Sequence, residues 1–577
     1  MSVMRRLLTG VLVSGVLATS ACTGSAEPTA SAQEPAGQGG TISLLSASAM
    51  PTLDPQRIGD PTVAALVGRT LHRTLTAYAP YADGKTQADL VGDLATDTGT
   101  ASEDLRTWSF TLRPGVTWED GSPVTCEDVK HGVARTFATD VVTGGSTDAL
   151  AVLAIPRTPE GRSTYLGPYA TAPEAATGAA SFDQAVSCAD RTITFLLAEP
   201  TSDFNEMVTL PAFAPVKKES DPGGGGLPLV LSSGPYRLEG NWNVETGGLL
   251  VRNTHWDPES DPVRTARPDR IRIASGQEGA AIVETVLADQ GEARSAVSLT
   301  PAPPALLQQV ESLASLRDRT VTTDTGVVDY LAPSVASPVF ANRDARLALA
   351  AATNRQGYAL ARSGPLSTRP VGSVIPNELL ARAVQAAPVT DADPVRAREL
   401  LTQAGLTAPV PIKVAYRSGP ASAKAMEALA AGWRAAGFEP TLVPIDDAYF
   451  ATISAPGATS AYDVFWSNWS PAWGSASTVL PPLFDSTFNI TAAGTGRDYG
   501  GWANAEWNAR SDQIAAIKDR TEREKAWVAA DDVLLGDGAY IALAARYSTH
   551  LAGSDVRGLQ AQPHGGGTID LAVAGVK

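Results

Sequence analysis

A chain of 577 residues exceeds what one hydrophobic core holds and implies several structural units. Apolar residues at 44% and charged residues at 18% give a globular composition, while 61 Asp and Glu against 45 Lys and Arg set the net charge at −16. A surface that acidic repels phosphate backbones and argues against a nucleic-acid partner. Three cysteines and five histidines carry no CxxC or HExxH spacing, and the chain has no phosphate loop, GxSxG elbow or SxxK motif. No metal or cofactor is expected, and the case for an enzyme is weakened.

The N-terminus has Arg5 and Arg6, an apolar run from Leu7 to Ala18, and then Thr19-Ser-Ala-Cys22. That run is too short to span a membrane and has the layout of a secretory signal. Small residues before Cys22 resemble the lipobox of bacterial lipoproteins, which predicts a signal peptide over 1–21 and a diacylglyceryl anchor on Cys22. Thr19 departs from the usual Leu of that box, and an ordinary signal peptide is the alternative. Residues 22–40 have no bulky apolar side chain after Cys22 and read as a flexible tether. Loss of 1–21 leaves a net charge of −18. Export places Cys126 and Cys188 in an oxidising space with no other partner, so a disulfide is expected, two free thiols being the alternative.

From Thr41 onward strand-like runs alternate with turn clusters and Ala-rich helical stretches, the pattern of an α/β protein. Strands are predicted at 41–47, 108–112 and 192–197, with Thr125 capping a helix whose first turn carries Glu127 and Asp128. DPGGGG (221–226) reads as a surface loop. Asp393-Pro394 starts a helix in which Val395, Leu400, Leu401 and Ala404 form the buried stripe, stopped by Gly405. A strand at 412–416, a helix through Met426, Leu429 and Trp433 ending at Gly437, and a strand at 441–445 make a right-handed βαβ unit in a partly parallel sheet.

Five ordered segments carry a family resemblance. They are DLVGDLA (89–95) with WSFTLRPGV (108–116) and WEDGSPVTCEDV (118–129); SGPY (233–236) with LVRN (250–253), His255-Trp256 and PDRIRI (268–273); NRDAR (342–346) with Asn354-Arg355; Ala397–Leu406 with the βαβ unit; and WANAE (502–506) with AYIAL (539–543). Over about 41–570 the chain resembles the extracellular solute-binding proteins of peptide and nickel ABC importers. The resemblance implies an α/β, two-lobed periplasmic-binding-protein type 2 fold with an extra subdomain inserted in lobe I. Lobe I would cover 41–290, with the insertion at about 75–188, lobe II 291–539, and 540–577 would return to lobe I. A disulfide at the edge of the insertion would pin it to the lobe. The implied function is a monomeric, lipid-anchored receptor that closes two lobes over a peptide or peptide-like solute and delivers it to ABC permease subunits driven by cytoplasmic ATPases.

In that family a strand-to-loop segment of lobe II beginning with Trp lines the pocket. Here it reads YDVFWSNWSPAWGSAS (462–477), which nominates Trp466, Ser467, Asn468, Trp469 and Trp473. Many relatives carry an Asp shortly after that Trp to pair with a peptide ammonium. Counted from Trp466 the position is Trp469, and no acid follows before Asp485. A buried ammonium needs a charge partner, so either another acid serves or the ligand is not a simple peptide. Aromatic walls suit ring-containing ligands or peptides held through their backbone, and core filling is the competing role for each Trp. Ser46 and Ser48 at the end of the first strand, Tyr330 before a loop, and Arg343 as a carboxylate ligand complete the candidates, with turn formation, interlobe packing and solvation as their plain alternatives. Competing functions are a receptor for a metal chelate, oligosaccharide or secondary metabolite, a surface sensor, and an exported hydrolase using Asp446, Asp447 or Asp463.

Overall fold

Two unrelated strand orders divide the chain. The computed structural model describes residues 36–81, 88–171, 175–223, 230–380, 384–562, 564 and 566–577. Cys22 and most of the expected tether therefore lie outside the described residues. The tether's last residues, from Ala36, are not free: Gly37 N–H donates to the Val576 carbonyl at 2.9 Å, and Arg267 Nη1 donates to the Ala36 carbonyl at 2.7 Å.

The first sheet has the order 296–298, 41–45, 270–274, 247–252, 236–243. Thr41–Leu45 sits inside it, parallel to both neighbours, with Ile42 and Leu44 fully buried. Parallel neighbours need a long crossover, and the connection from 45 to 270 holds an entire subdomain. That subdomain is built on an antiparallel sheet of 100–101, 107–111, 192–196 and 186–189. Alternation puts Trp108 and Phe110 opposite Phe195 and Ile193 on the inner face. Phe195, Phe204 and Phe213 then pack edge to face at centroid distances of 5.2–6.1 Å.

The helix Cys126–Arg135 covers this sheet. Its cap is reciprocal: Thr125 Oγ1 accepts from Asp128 N–H at 3.2 Å, and the Asp128 carboxylate accepts from Thr125 N–H at 2.9 Å. Cys126 at the start of the helix is bonded to Cys188 in strand 186–189, with Cα atoms 5.9 Å apart. The bridge thus lies within the subdomain and does not pin it to the lobe, because both partners belong to its own layers. The subdomain core also runs through Phe213, past the expected edge at 188, since strand 192–196 completes its sheet.

The second sheet has the order 368–370, 541–551, 320–333, 464–469, 410–417, 438–445. Val410–Arg417, helix Pro420–Ala436 and Phe438–Ile445 form the βαβ unit, the two strands pairing in parallel and Gly437 ending the helix at φ +105°. Asp393 caps Pro394–Gln403 as its sequence predicts. Val395, however, is 57% exposed, because the first turn projects beyond the layer that buries Ala397, Leu400 and Leu401.

The two halves are joined by a ribbon of two long antiparallel strands, Thr320–Pro333 and Ile541–Leu551. One end of the ribbon meets the first sheet, where Val297 bridges Ala552 and Leu551 N–H donates to Ser298 Oγ at 2.7 Å. The other end lies in the middle of the second sheet. Strand 541–551 therefore belongs to the lobe II sheet and not to a return that starts at 540, and strand 296–298 keeps lobe I running past 290.

Buried arginine–aspartate pairs tie the subdomain to lobe I. Asp93 accepts from Arg73 Nε and Arg264 Nη2, both at 2.8 Å, with all three side chains at most 2% exposed. For the disulfide, a loop of 62 residues closed in the unfolded chain is worth about 4 kcal/mol. Replacing Cys126 and Cys188 with Ser is expected to lower stability by about that amount, measured by denaturant unfolding with and without reductant. Reductant is expected to change the parent chain and leave the variant unaffected.

Candidate functional site

Beyond the ribbon, the lobes meet where lobe II offers the loop after strand Val464–Trp469. Trp473 Nε1 donates to Asp203 Oδ2 at 3.0 Å, and the Ser477 hydroxyl donates to the same oxygen. Gly474 N–H donates to the Tyr78 hydroxyl at 3.1 Å, and that hydroxyl donates to Glu206 Oε2 at 2.8 Å. Glu206 also faces Arg523 of lobe II at 3.6 Å. The indole of Trp473 packs against the core of the inserted subdomain. Gly474 has no room for a side chain: a Cβ would stand 2.3 Å from the Tyr78 hydroxyl oxygen.

Two cavities flank this contact. One, of about 560 Å³, is walled by Asp60, Arg69 and Tyr78 of lobe I, Ser146 and Thr209 of the subdomain, and Ser470–Trp473 of lobe II. The other, of about 1020 Å³, is walled by Asp324, Ser373, Glu378 and Tyr547 of lobe II, with Tyr81 and Ala561 on the opposite side. They approach each other at Gly326, where an added Cβ would lie 3.2 Å from Pro471 Cδ and 3.3 Å from Glu378 Oε1. Both are large enough for a small peptide or a molecule of similar size.

Burial shapes the charges here. Desolvation, offset in part by the Arg520 guanidinium, pushes the Glu206 carboxyl up to about 7. Desolvation and the neighbouring Asp324 push Glu378 up to about 8. His564, whose ring centroid is 4.5 Å from that of Tyr78, is pushed down to about 3 by burial and Arg520 and is neutral. The buried Asp498 carboxyl outside the cavities is raised to about 8 by desolvation.

Of the residues nominated from sequence, Trp473 lines the smaller cavity. Trp469 closes the strand, half-buried, with its Nε1 donating to the Thr478 carbonyl at 2.7 Å and Arg497 4.8 Å above its ring. Trp466 is a core residue: it is 4% exposed and donates to the Tyr358 hydroxyl at 2.9 Å. Ser467 is fully buried opposite Tyr330 in the strand register, and Asn468 is opposite Asp329. Tyr330 is 2% exposed and packs on Tyr540 inside lobe II, not between the lobes.

Arg343 points away from the cleft, donating to the Gly536 carbonyl at 2.9 Å beside Asp537. Ser48 is exposed, and its carbonyl accepts from Ser46 Oγ at 3.1 Å. The carboxylates weighed for hydrolysis line neither cavity: Asp446 accepts from Ser418 Oγ at 2.7 Å, and Asp463 accepts from Lys413 N–H at 2.7 Å and from Ser337 Oγ. Tyr78, Asp203, Glu206, Asp324, Glu378 and His564 went unnominated. Only Gly326 hinted at one of them, since an isolated glycine in a strand pattern marks a bulge.

With this geometry in place, comparison with known proteins decides the family. The model of the bacterial extracellular solute-binding proteins, family 5, matches residues 89–490. The chain belongs to that family. Among its relatives, the glutathione-binding protein GsiB of Salmonella typhi is 24% identical over 541 residues, covering 90% of this chain and 92% of GsiB. The oligopeptide-binding protein OppA of Bacillus subtilis is 27% identical over 206 residues, 33% of this chain and 32% of OppA. In structure, the clavulanic acid biosynthesis oligopeptide binding protein 2 superposes with a TM-score of 0.79 at 27% identity, covering 94% of this chain and 96% of that one. The murein tripeptide-binding protein MppA in its unliganded open form gives 0.73 at 19% identity, covering 93% and 98%. The fold is the two-lobed one of periplasmic binding proteins, and the relatives are binding proteins, not enzymes. Among the described residues no helix is long and apolar enough to cross a membrane.

The raised carboxyls carry a pH dependence. A carboxyl held at about 7 or 8 in the folded protein and at 4.5 (Glu) or 3.8 (Asp) when unfolded binds more protons folded than unfolded between those values. The stability it contributes is complete below about 4.5 and is lost as pH rises toward 8. The depressed Asp261, held at about 2, acts only in acid, and the buried neutral histidines, His564 among them, add stability with rising pH only up to about pH 6.5. The melting temperature of this family 5 protein is expected to fall between pH 6.5 and pH 8, and Asp498→Asn is expected to flatten that fall.

Proposed function

We propose that this chain is an extracytoplasmic, lipid-anchored receptor that captures oligopeptides or peptide-like solutes and passes them to the permease of an ABC importer. The observation that carries the reading is the pair of cavities walled by both lobes on either side of the Trp473 loop. Such a site acts by differential affinity: solute bridging the two walls stabilises the arrangement in which they approach. No bond need be made or broken. The peptide class is supported by relatives whose names specify glutathione and oligopeptides. The polar side chains on the cavity walls suit hydrogen bonding to the backbone of extended chains of varied sequence. The anchor rests on Cys22 and its preceding small residues, and delivery to a permease rests on the family.

The absence of a carboxylate at Trp469, with none following before Asp485, favours a second solute class. A receptor without an acid there can hold a ligand that has no free amine at that point, such as a chelate or a secondary metabolite. Native mass spectrometry of protein purified without refolding separates the two. A mass lost on denaturation that fragments as a peptide is the expected result, and Trp473→Ala is expected to reduce its occupancy at least fivefold. A retained non-peptide mass would overturn the peptide class and leave the receptor standing.

A further inference from the structure

We infer that Asp324 and Glu378 form an anionic subsite in the larger cavity that takes a cationic group of the solute, an alkylammonium or a guanidinium. The inference rests on the receptor reading and deepens it, naming where a positive charge goes in a cleft whose loop Ser470–Ser477 carries no acid.

The two carboxylates come from different parts of lobe II. Asp324 lies on the ribbon strand at the point where its register with the partner strand breaks: Asp324 pairs with Tyr547, and the next pair is Val328 with Ala545. The extra residues form a bulge around Gly326, whose φ is +66° and whose N–H donates to Asp324 Oδ1 at 2.9 Å. Glu378 lies on the short helical turn Asn377–Leu379, and the bulge brings Gly326 against its carboxylate. Both acids line the cavity of about 1020 Å³.

Their satisfaction is unequal. Asp324 has the Gly326 amide and faces Tyr547, over whose ring Arg369 stacks at 4.0 Å. For Glu378, no hydrogen-bond donor or cation among the described residues lies within contact distance of its carboxylate. While no cation is present Glu378 holds its proton, because desolvation and the neighbouring Asp324 raise its carboxyl. A cation entering between the two acids takes the place of that proton and pairs with both carboxylates, so the pair favours a positively charged solute over a neutral one. Tyr81 and Tyr547 line the same cavity.

The test uses the purified protein, a casein digest, and the same digest with its amines acetylated and its arginines blocked by cyclohexanedione (the acetylated digest below), with capture read by native mass spectrometry. The parent protein is expected to capture the untreated digest at least tenfold better than the acetylated one. Glu378→Gln and Asp324→Asn are expected to abolish the preference, so that each variant captures the two digests equally. Equal capture of both digests by the parent, or an undiminished preference in both variants, would overturn the subsite and leave the peptide receptor intact. Capture of neither digest, with putrescine, spermidine or arginine bound by the parent and lost in the variants, would support the subsite and overturn the peptide class. Capture of none of these would overturn both. The comparison of digests on the parent protein does not depend on how well either variant folds.

Discussion

Everything functional in this molecule depends on one pair of hydrogen-bonded strands. Thr320–Pro333 and Ile541–Leu551 cross from one sheet to the other side by side, so each lobe is covalently and cooperatively tied to its partner along a ribbon. Two paired strands bend and twist far more easily than they stretch or separate. The lobes can therefore change their angle without losing their alignment, which is the mechanical requirement of a cleft that opens and shuts. The bulge at Gly326 concentrates that compliance where the ribbon passes the cavities, and it places Asp324 there at the same time.

The contact between the lobes follows a different rule from the core of either one. Each core is apolar and closely packed, with Trp118, Trp433 and Trp527 fully buried. The interlobe contact sets polar bonds beside the packed Trp473 ring: an indole N–H and a hydroxyl on Asp203, an amide on Tyr78, and an arginine facing Glu206. Such bonds exchange readily with water, so breaking them costs little net free energy, whereas separating an apolar interface of equal area would cost much more. A receptor that must release its cargo needs the first kind of contact.

The sequence revealed architecture more readily than site. Alternation at Trp108–Phe110, the Thr125 cap with acids behind it, and the Asp393-Pro394 start are local signals, and each produced the element it announced. The limits of the lobes were less legible, because membership of a sheet is a long-range property: AYIAL reads as a strand, but nothing in it says that Ile541–Leu551 pairs with Thr320–Pro333. The pocket suffered the same way. Trp466 and Trp469 are three residues apart on one strand, and the pleat alone sends one into the core beside Tyr358 and leaves the other at the surface under Arg497. Glu378 and Asp324, 54 positions apart, meet only through the bulge that Gly326 permits.

The central claim is that solute occupancy changes the angle between the lobes about the ribbon. Spin labels replacing the exposed Arg272 of lobe I and Arg396 of lobe II report that angle as a distance distribution by double electron–electron resonance. A broad distribution in the empty protein that narrows and shifts on loading with a casein digest is the predicted result. An unchanged distribution in protein shown by mass to be loaded would contradict the account.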